Sequence, residues 1–475
     1  MKTLFSIPCS SPTVLARLLA VLFATASAAC SSADAGAAAP SSGGPTGVQP
    51  ATWAPVFHFV DGAGRDVTSI YYLDPIAVKL TGLVPGRTIT VRAEMAPWVS
   101  QASFVVGADG VVDLGRDAPS AGTYTGVDPD GLFWSMDSKT FEYAKSANVE
   151  LTATEDGSEA TEPAKATLKR TVTIEGMRSV IPDDPSIVGK LFLPPGAGPF
   201  PAILAFGGSE GGLDGGIGYA EELVPRGYAV LSVAYFAEKG LPSELASIPL
   251  EYFSKALSWL GKQNDVDGAR LGVIGGSRGG ELSLLLASAH PELRAAIADV
   301  PSGYVWGAVA GKDAAWTNGG TPLPFVPSAG AAVTTVTTPE GEEALVLTPT
   351  FLESIAKASP SALAAARIPV ERSNAAIAMF AGGDDQLWPS CQLAKVAMDQ
   401  LQASGHAASH PDELTCFEGA GHSLTSVGLP TTHSSFASSP RSGALALGGT
   451  PQGNARAGRT RQRKVTEFLA KAMKR

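Results

Sequence analysis

From residue 182 onward the chain repeats one rhythm: a short, unbroken apolar run, then a stretch of helical character, then another run. The runs are Pro-Ala-Ile-Leu-Ala-Phe (201–206), Tyr-Ala-Val-Leu-Ser-Val-Ala-Tyr (228–235), Leu-Gly-Val-Ile (271–274), Ala-Ala-Ile-Ala-Asp-Val (295–300), Ala-Ala-Ile-Ala-Met-Phe (375–380) and Glu-Leu-Thr-Cys-Phe (413–417). A strand with one wet face alternates apolar and polar residues. Strands that are apolar throughout are covered on both faces, which is the signature of a mostly parallel sheet between helices. The rhythm therefore predicts an α/β domain over residues 173–475. It is interrupted once, between the runs at 295–300 and 375–380, by an insertion at 301–374 with one helical stretch near 351–357. An insertion at that edge of such a sheet builds either a lid or acyl pocket, or simple surface elaboration.

The preceding segment, 51–172, obeys a different period. Residues 88–93, 102–106 and 170–174 alternate as strands do, and Pro85-Gly86, Asp109-Gly110, Asp130-Gly131 and Asp156-Gly157 punctuate them as turns. This pattern predicts an all-β, immunoglobulin-like sandwich. Two domains also suit a chain of 475 residues, which exceeds what one core ordinarily serves.

The N-terminus carries targeting features. Lys2 and Arg17 precede an apolar stretch at 18–24, followed by Ala26-Ser27-Ala28 and then Cys30. The stretch is too short for a permanent membrane span, so residues 1–30 read as a signal peptide. The string around Cys30 resembles a bacterial lipoprotein box, although Ser27 stands where such boxes carry leucine. Cys30 is therefore the lipidation candidate, and a lipid there would tether the chain to a membrane; simple cleavage and release is the other route. Residues 31–50, rich in Ala, Ser, Gly and Pro, read as a flexible linker. Export permits a disulfide between Cys391 and Cys416, with two buried free thiols as the other reading. A net charge of −10 gives a nucleic-acid role no electrostatic footing. No metal or organic cofactor is expected.

Chemistry concentrates at residues 275–280, Gly-Gly-Ser-Arg-Gly-Gly, directly after an apolar run. This is the Gly-x-Ser-x-Gly pattern of a nucleophile elbow, in which the serine sits on a sharp strand-to-helix turn and flanking side chains would collide with neighbouring backbone. Ser277 is the candidate nucleophile. A serine needs a base, and the base an orienting carboxylate, which in hydrolases of this kind follow the serine in the order acid, histidine. Of six histidines, His422 alone follows a strand within a tight Gly-rich turn. Asp385, in Gly382-Gly-Asp-Asp385, is the favoured acid, with Asp384 and Asp299 as alternatives. The N–H of Arg278 and that of Gly208 or Ser209, in the glycine-rich loop 206–212, are the expected oxyanion donors. Glu281 reads as a first-turn acid of the following helix. The Arg278 side chain reads as either an attractor of an anionic substrate or a solvated surface arginine.

These residues carry a resemblance. The strings at 193–201, 206–212, 227–235 and 240–242, the Ser277 elbow, 382–390 and Gly419-Ala-Gly-His422 resemble the acyl-CoA thioesterase / bile acid-CoA:amino acid N-acyltransferase family. So do Gly82-Leu-Val-Pro-Gly86, Ala102-Ser-Phe104, Gly122-Thr-Tyr124 and Gly131-Leu-Phe-Trp-Ser-Met136 in the β region. The resemblance implies an α/β-hydrolase domain behind a β-sandwich, with Ser277, Asp385 and His422 as nucleophile, acid and base. It also implies a small-molecule acyl thioester or ester as substrate. Family members that conjugate acyl groups to amino acids tend to use cysteine in the elbow, and the thioester hydrolases serine, so hydrolysis is expected here. An exported carboxylesterase, an acyl-CoA:amino acid N-acyltransferase and a catalytically retired surface-binding lipoprotein are the alternatives.

Overall fold

The computed structural model describes residues 53–474 except 139–145, 159–161, 310–312, 331–332, 425–427 and 440–442. The signal segment 1–30, Cys30 and the linker 31–50 lie outside the described residues.

Eight strands form the main sheet: β1 (Arg178–Val180), β2 (Gly189–Leu193), β3 (Phe200–Phe206), β4 (Ala229–Val233), β5 (Val266–Gly276), β6 (Leu293–Asp299), β7 (Ala376–Gly382) and β8 (Glu413–Phe417). Their spatial order is β1-β2-β4-β3-β5-β6-β7-β8. The pairs β1/β2 and β2/β4 are antiparallel, and every later pair is parallel. β4 and β7 are buried at every residue. That is why their sequences are apolar without alternation.

Six helices bear on the site: α1 (Asp214–Leu223), α2 (Leu250–Leu260), α3 (Arg278–Ala289), α4 (Thr348–Lys357), α5 (Ser390–Ala403) and α6 (Pro451–Ala472). Two apolar clusters cover the sheet. One gathers Phe253, Leu257, Leu282, Leu286 and Leu401 over Leu204, Leu231 and Val273. The other gathers Tyr219, Leu223, Val465 and Phe468 over Ile203, Val230 and Ile297. Neighbouring residues along a strand thus feed opposite clusters, as the pleat requires.

The β region is a sandwich. One sheet aligns Ser69–Tyr71, Ala164–Thr171, Val149–Glu155, Thr88–Met95, Trp98–Val105 and Ala121–Gly122; the other aligns Val56–Asp61, Ile76–Thr81 and Val112–Asp113. Thr88–Met95 alternates half-buried and buried residues along its whole length. Between the sheets lies a core that includes Val78, Leu80, Ile89, Val91, Phe104 and Leu151. The strand expected over 170–174 ends at Thr171 and begins at Ala164, because Thr171 is the last residue paired with Ser69–Tyr71.

The insertion is more structured than its sequence suggests. α4 is joined by a second helix, Pro360–Ala366, and Thr334–Thr337 and Glu343–Val346 form a hairpin. That hairpin extends into a four-stranded sheet with Phe436–Ser439 and Gly443–Ala446, from the far side of His422.

Candidate active site

β5 runs straight into α3, and the one residue between them is Ser277, at φ 57° and ψ −120°. A side chain in that region is strained by about 1–3 kcal/mol, and such strain gathers where a serine must stand proud of its strand. The turn is tight enough to explain its glycines. A Cβ on Gly275 would lie 2.5 Å from the Gly279 carbonyl oxygen, and one on Gly279 would lie 2.4 Å from that of Gly207. The Ser277 N–H donates to the Asp299 carbonyl at 2.8 Å, which fastens the elbow to β6.

Asp385 and His422 come together. His422 Nδ1 stands 2.7 Å from Asp385 Oδ2, and both side chains are nearly enclosed, at 10% and 1% exposure. The other oxygen, Oδ1, accepts the N–H groups of Leu387 (3.0 Å) and Trp388 (3.2 Å). With that oxygen occupied, the carboxylate has one orientation and presents Oδ2 to the imidazole. Among the described residues His422 Nε2 is buried and has no hydrogen-bond partner. The Nδ1 contact to a carboxylate makes Nδ1 the protonated nitrogen and leaves Nε2 as a free acceptor. The Trp388 ring stands edge-on to His422, with centroids 6.1 Å apart. Trp306, Phe351 and Trp388 continue from there as edge-to-face contacts into the insertion.

The other candidates for acid and base are committed elsewhere. Asp384 is exposed in the turn. Asp299 is buried with Tyr219, whose hydroxyl donates to it at 3.0 Å, and with Arg461 at 2.8 Å. His406 also pairs with a buried carboxylate, Asp412, at 2.6 Å. Asp412 accepts the N–H of Ile377, at the start of β7, so that pair lies at the opposite end of the sheet from Ser277. Its second nitrogen faces the Ser373 carbonyl, a structural arrangement.

Both loops are held by the strand Gly443–Ala446 and its continuation. The Leu447 carbonyl accepts from the N–H of His422 (2.8 Å) and of Gln386 (3.3 Å), and the Asp384 N–H donates to the Ala420 carbonyl at 2.9 Å. Thr348, the first residue of α4, donates its hydroxyl to the Asp385 carbonyl at 2.8 Å. Sequence reasoning missed these braces, since nothing in 334–347 or 436–449 identifies its partner.

The two alternatives for the first oxyanion donor differ in this structure. The Gly208 N–H donates to Glu210 Oε1 at 2.7 Å, whereas among the described residues the N–H groups of Ser209 and Arg278 have no partner. The Arg278 side chain is neither a substrate attractor nor solvated. It is buried, donates to the Trp306 carbonyl at 2.8 Å and lies 3.3 Å from Glu281. Glu281 does stand in the first turn of α3; it is also fully buried and accepts the Trp316 indole N–H at 2.6 Å, which makes it a core ion-pair partner of Arg278. Burial pushes its carboxyl up to about 7, against the pull of Arg278.

Cys391 and Cys416 are joined by a disulfide, with Cα atoms 5.6 Å apart. Adjacent Ser390 faces the Gly382 N–H, and Cys416 is the register partner of Ala381, so the fold brings the two cysteines to the same edge of β7. That proximity, invisible in their separation of 25 residues, displaces the reading of two free thiols. Among the described residues no group of three or more His, Cys, Asp or Glu side chains is placed to hold a metal.

A mostly parallel sheet covered on both faces, a strained serine between strand and helix, and a carboxylate–histidine pair on the two later loops define the α/β-hydrolase class. Within that class, the sequence matches the family described as BAAT / acyl-CoA thioester hydrolase C terminal over residues 248–475, and the acyl-CoA thioester hydrolase/BAAT N-terminal region over 74–181. It is 30% identical over 368 residues to acyl-coenzyme A thioesterase 2, mitochondrial, of Rattus norvegicus, covering 74% of this chain and 76% of that one. To acyl-coenzyme A amino acid N-acyltransferase 1 of Mus musculus it is 29% identical over 380 residues, covering 74% and 83%. Among solved structures it is similar to the carboxylesterase EstE1, cloned from a metagenomic library, with a TM-score of 0.40 at 17% identity over 64% of this chain and 92% of that one. The chain belongs to the acyl-CoA thioester hydrolase/BAAT family and is a hydrolase-like enzyme of that family.

Proposed function

We propose that the chain is an exported serine hydrolase that cleaves acyl thioesters or esters through Ser277, His422 and Asp385. The observation that carries this reading is the His422–Asp385 pair, with a buried and unpartnered Nε2, at the same end of the sheet as the strained Ser277. Ser277 Oγ attacks the acyl carbonyl carbon and its proton passes to His422 Nε2. The carbonyl oxygen, now negative, is held by the N–H of Arg278 and by that of Ser209 or of Gly208, the last once Glu210 has left it. As the tetrahedral intermediate collapses, the carbon–sulfur or carbon–oxygen bond breaks and the imidazolium protonates the leaving group. Water then enters, gives a proton to His422, and its oxygen attacks the acyl carbon; as the bond to Ser277 Oγ breaks, that proton returns from His422 to Oγ and the acid is released. Asp385 holds the imidazole in the tautomer that each step needs. The aromatic chain of Trp306, Phe351 and Trp388 supplies an apolar wall beside the base, suited to an acyl chain.

Serine in the elbow favours water over an amine as acyl acceptor. The signal-like N-terminus and the Cys391–Cys416 disulfide support export, since disulfides persist in oxidising compartments. Coenzyme A is an intracellular carrier, so an exported enzyme on this scaffold is better matched to another thioester or to a carboxylic ester. An exported carboxylesterase is therefore the second reading.

Hydrolysis of matched acyl-CoA and aryl esters over several chain lengths, wild type beside Ser277→Ala, tests both. Loss of kcat on the order of 10⁴-fold or more with an unchanged melting curve is expected for Ser277→Ala. A variant that folds and keeps its turnover would end the serine-hydrolase reading. Strong CoA release would instead count against the exported-ester assignment.

A further inference from the structure

Glu210 stands beside the proposed oxyanion site and the mechanism leaves it unused, and the loop between β3 and α1 is built around it. The Tyr235 hydroxyl faces the carbonyl oxygens of Gly207 (2.9 Å) and Gly208 (3.0 Å). A trans peptide sets its C=O and N–H on opposite sides. Holding those two carbonyls against Tyr235 therefore turns the N–H groups of Gly208 and Ser209 the other way. Burial, reinforced by the charge of Glu210, raises the Tyr235 phenol and keeps it protonated as a donor.

The Gly208 N–H is the one that meets Glu210. Room for the carboxylate comes from missing side chains. A Cβ on Gly207 would stand 2.3 Å from Glu210 Oε1, one on Gly215 2.8 Å from the same oxygen, and one on Gly208 3.0 Å from Oε2. That last Cβ would also stand 3.0 Å from Ser277 Cβ, so the carboxylate and the proposed nucleophile flank a single spot. Glu210 as a whole is exposed, so it can leave this position into water.

We propose that Glu210 is a built-in anion that occupies an oxyanion donor in the free enzyme and keeps free carboxylates out of the acyl site. The proposal rests on the reading of Ser277 as nucleophile. A neutral acyl carbonyl displaces the Glu210 side chain into solvent, where the carboxylate regains its hydration. The product of hydrolysis is itself a carboxylate, the anion that two converging N–H groups would otherwise retain. Beside Glu210 it meets a like charge and a competitor for the same donor. Glu210 is thus a specificity residue, selecting esters and thioesters against the acids they release.

Hexanoate binding to wild type, Glu210→Gln and Glu210→Ala, measured by titration calorimetry, tests this without turnover. If the side chain fills the site in nine of ten molecules, its removal tightens hexanoate roughly tenfold. Ala is expected to show the full effect. Gln is expected to show a smaller one, because its amide oxygen still accepts the Gly208 N–H. In hexanoyl aryl ester hydrolysis, product inhibition should strengthen in the same order. Unchanged or weaker hexanoate binding in both variants overturns the proposal, and a fall in kcat alone would mark Glu210 as a loop scaffold. Labelling of wild type, but not Ser277→Ala, by a fluorophosphonate is the separate control. Its failure would sink the hydrolase reading, while the calorimetry would still decide whether Glu210 excludes carboxylates.

Discussion

At the scale of single residues, the site is a set of groups whose freedom has been removed. Asp385 spends one oxygen on two backbone N–H groups and so has only the other to offer His422. Ser277 is fixed by its own strained backbone, which the flanking glycines alone can accommodate. Beneath it, Glu281 and Arg278 form a fully enclosed pair roofed by Trp306 and Trp316. Enclosure raises the Glu281 carboxyl from an ordinary 4.5 to about 7, so between those values the native chain keeps a proton that the unfolded chain has lost. Stability contributed by this group must then decline as pH rises through that window and level off above it. Urea midpoints of wild type and Glu281→Gln, compared from pH 4 to 8, should show the wild type losing ground across the window. A pH-independent gap would mean that Glu281 is ionised in the native state throughout. Ser277, Asp385 and His422 could be singled out in sequence because each sits in a short motif whose chemistry dictates its neighbours. Glu210 and Glu281 stood in view in the same motifs, but their partners are made by the fold.

At the scale of elements, the loops that carry Asp385 and His422, the proposed acid and base, are separate segments that a third structure holds in register. The four-stranded sheet of 334–346 and 436–446 is that structure, reaching both loops through the Leu447 carbonyl. It was not legible because its strands are four residues long, lack alternation and pair across about a hundred residues; Leu345 meets Leu445. The disulfide acts on the same two segments from outside the site. It links the start of α5, directly after the Asp385 loop, to β8, which leads to His422. Closing a segment of 25 residues, it should stabilise the fold by about 3 kcal/mol. A lowered guanidinium midpoint is expected on reduction and in Cys391→Ser with Cys416→Ser. An unchanged midpoint would show that packing alone holds α5 to β8.

At the scale of the whole molecule, the sandwich and the hydrolase sheet are not beads on a string. From residue 53 to the end they form one compact unit. The motif 131–136, which carried part of the family resemblance, lies at their junction: the Trp134 carbonyl accepts from the Thr431 N–H at 2.9 Å and that of Met136 from the Thr432 hydroxyl at 2.7 Å. Tyr72 donates to Glu221 at 2.6 Å, and Gln462 reaches the Leu73 carbonyl at 3.0 Å. The last helix, α6, binds both halves: Arg461 holds Glu222 and Asp299 under the elbow, and Arg459 holds the buried Asp128 and Asp130 of the sandwich. The arginines of α6 thus clasp the two halves together. Arg459→Ala would leave Asp130 without this partner and Asp128 with Arg456 alone, and should cost about 2 kcal/mol, since Arg459 is itself partly exposed. Calorimetry should show the wild type melting in one transition and the variant at lower temperature. Two transitions in the wild type would disprove the coupling.

What the sequence determined by itself is whatever short-range periodicity encodes. Unbroken apolar runs specify strands covered on both faces, alternation specifies the sandwich, and a glycine-flanked serine after a strand specifies an elbow. Each of these is a local steric or solvation demand, and a few consecutive residues suffice to express it. Only the tertiary structure decided that Gly208's donor is occupied by Glu210, that Arg278 and Glu281 are buried together, and that Cys391 lies against Cys416. These depend on which distant segments meet, and a hydrogen bond or ion pair leaves no periodic trace in either segment.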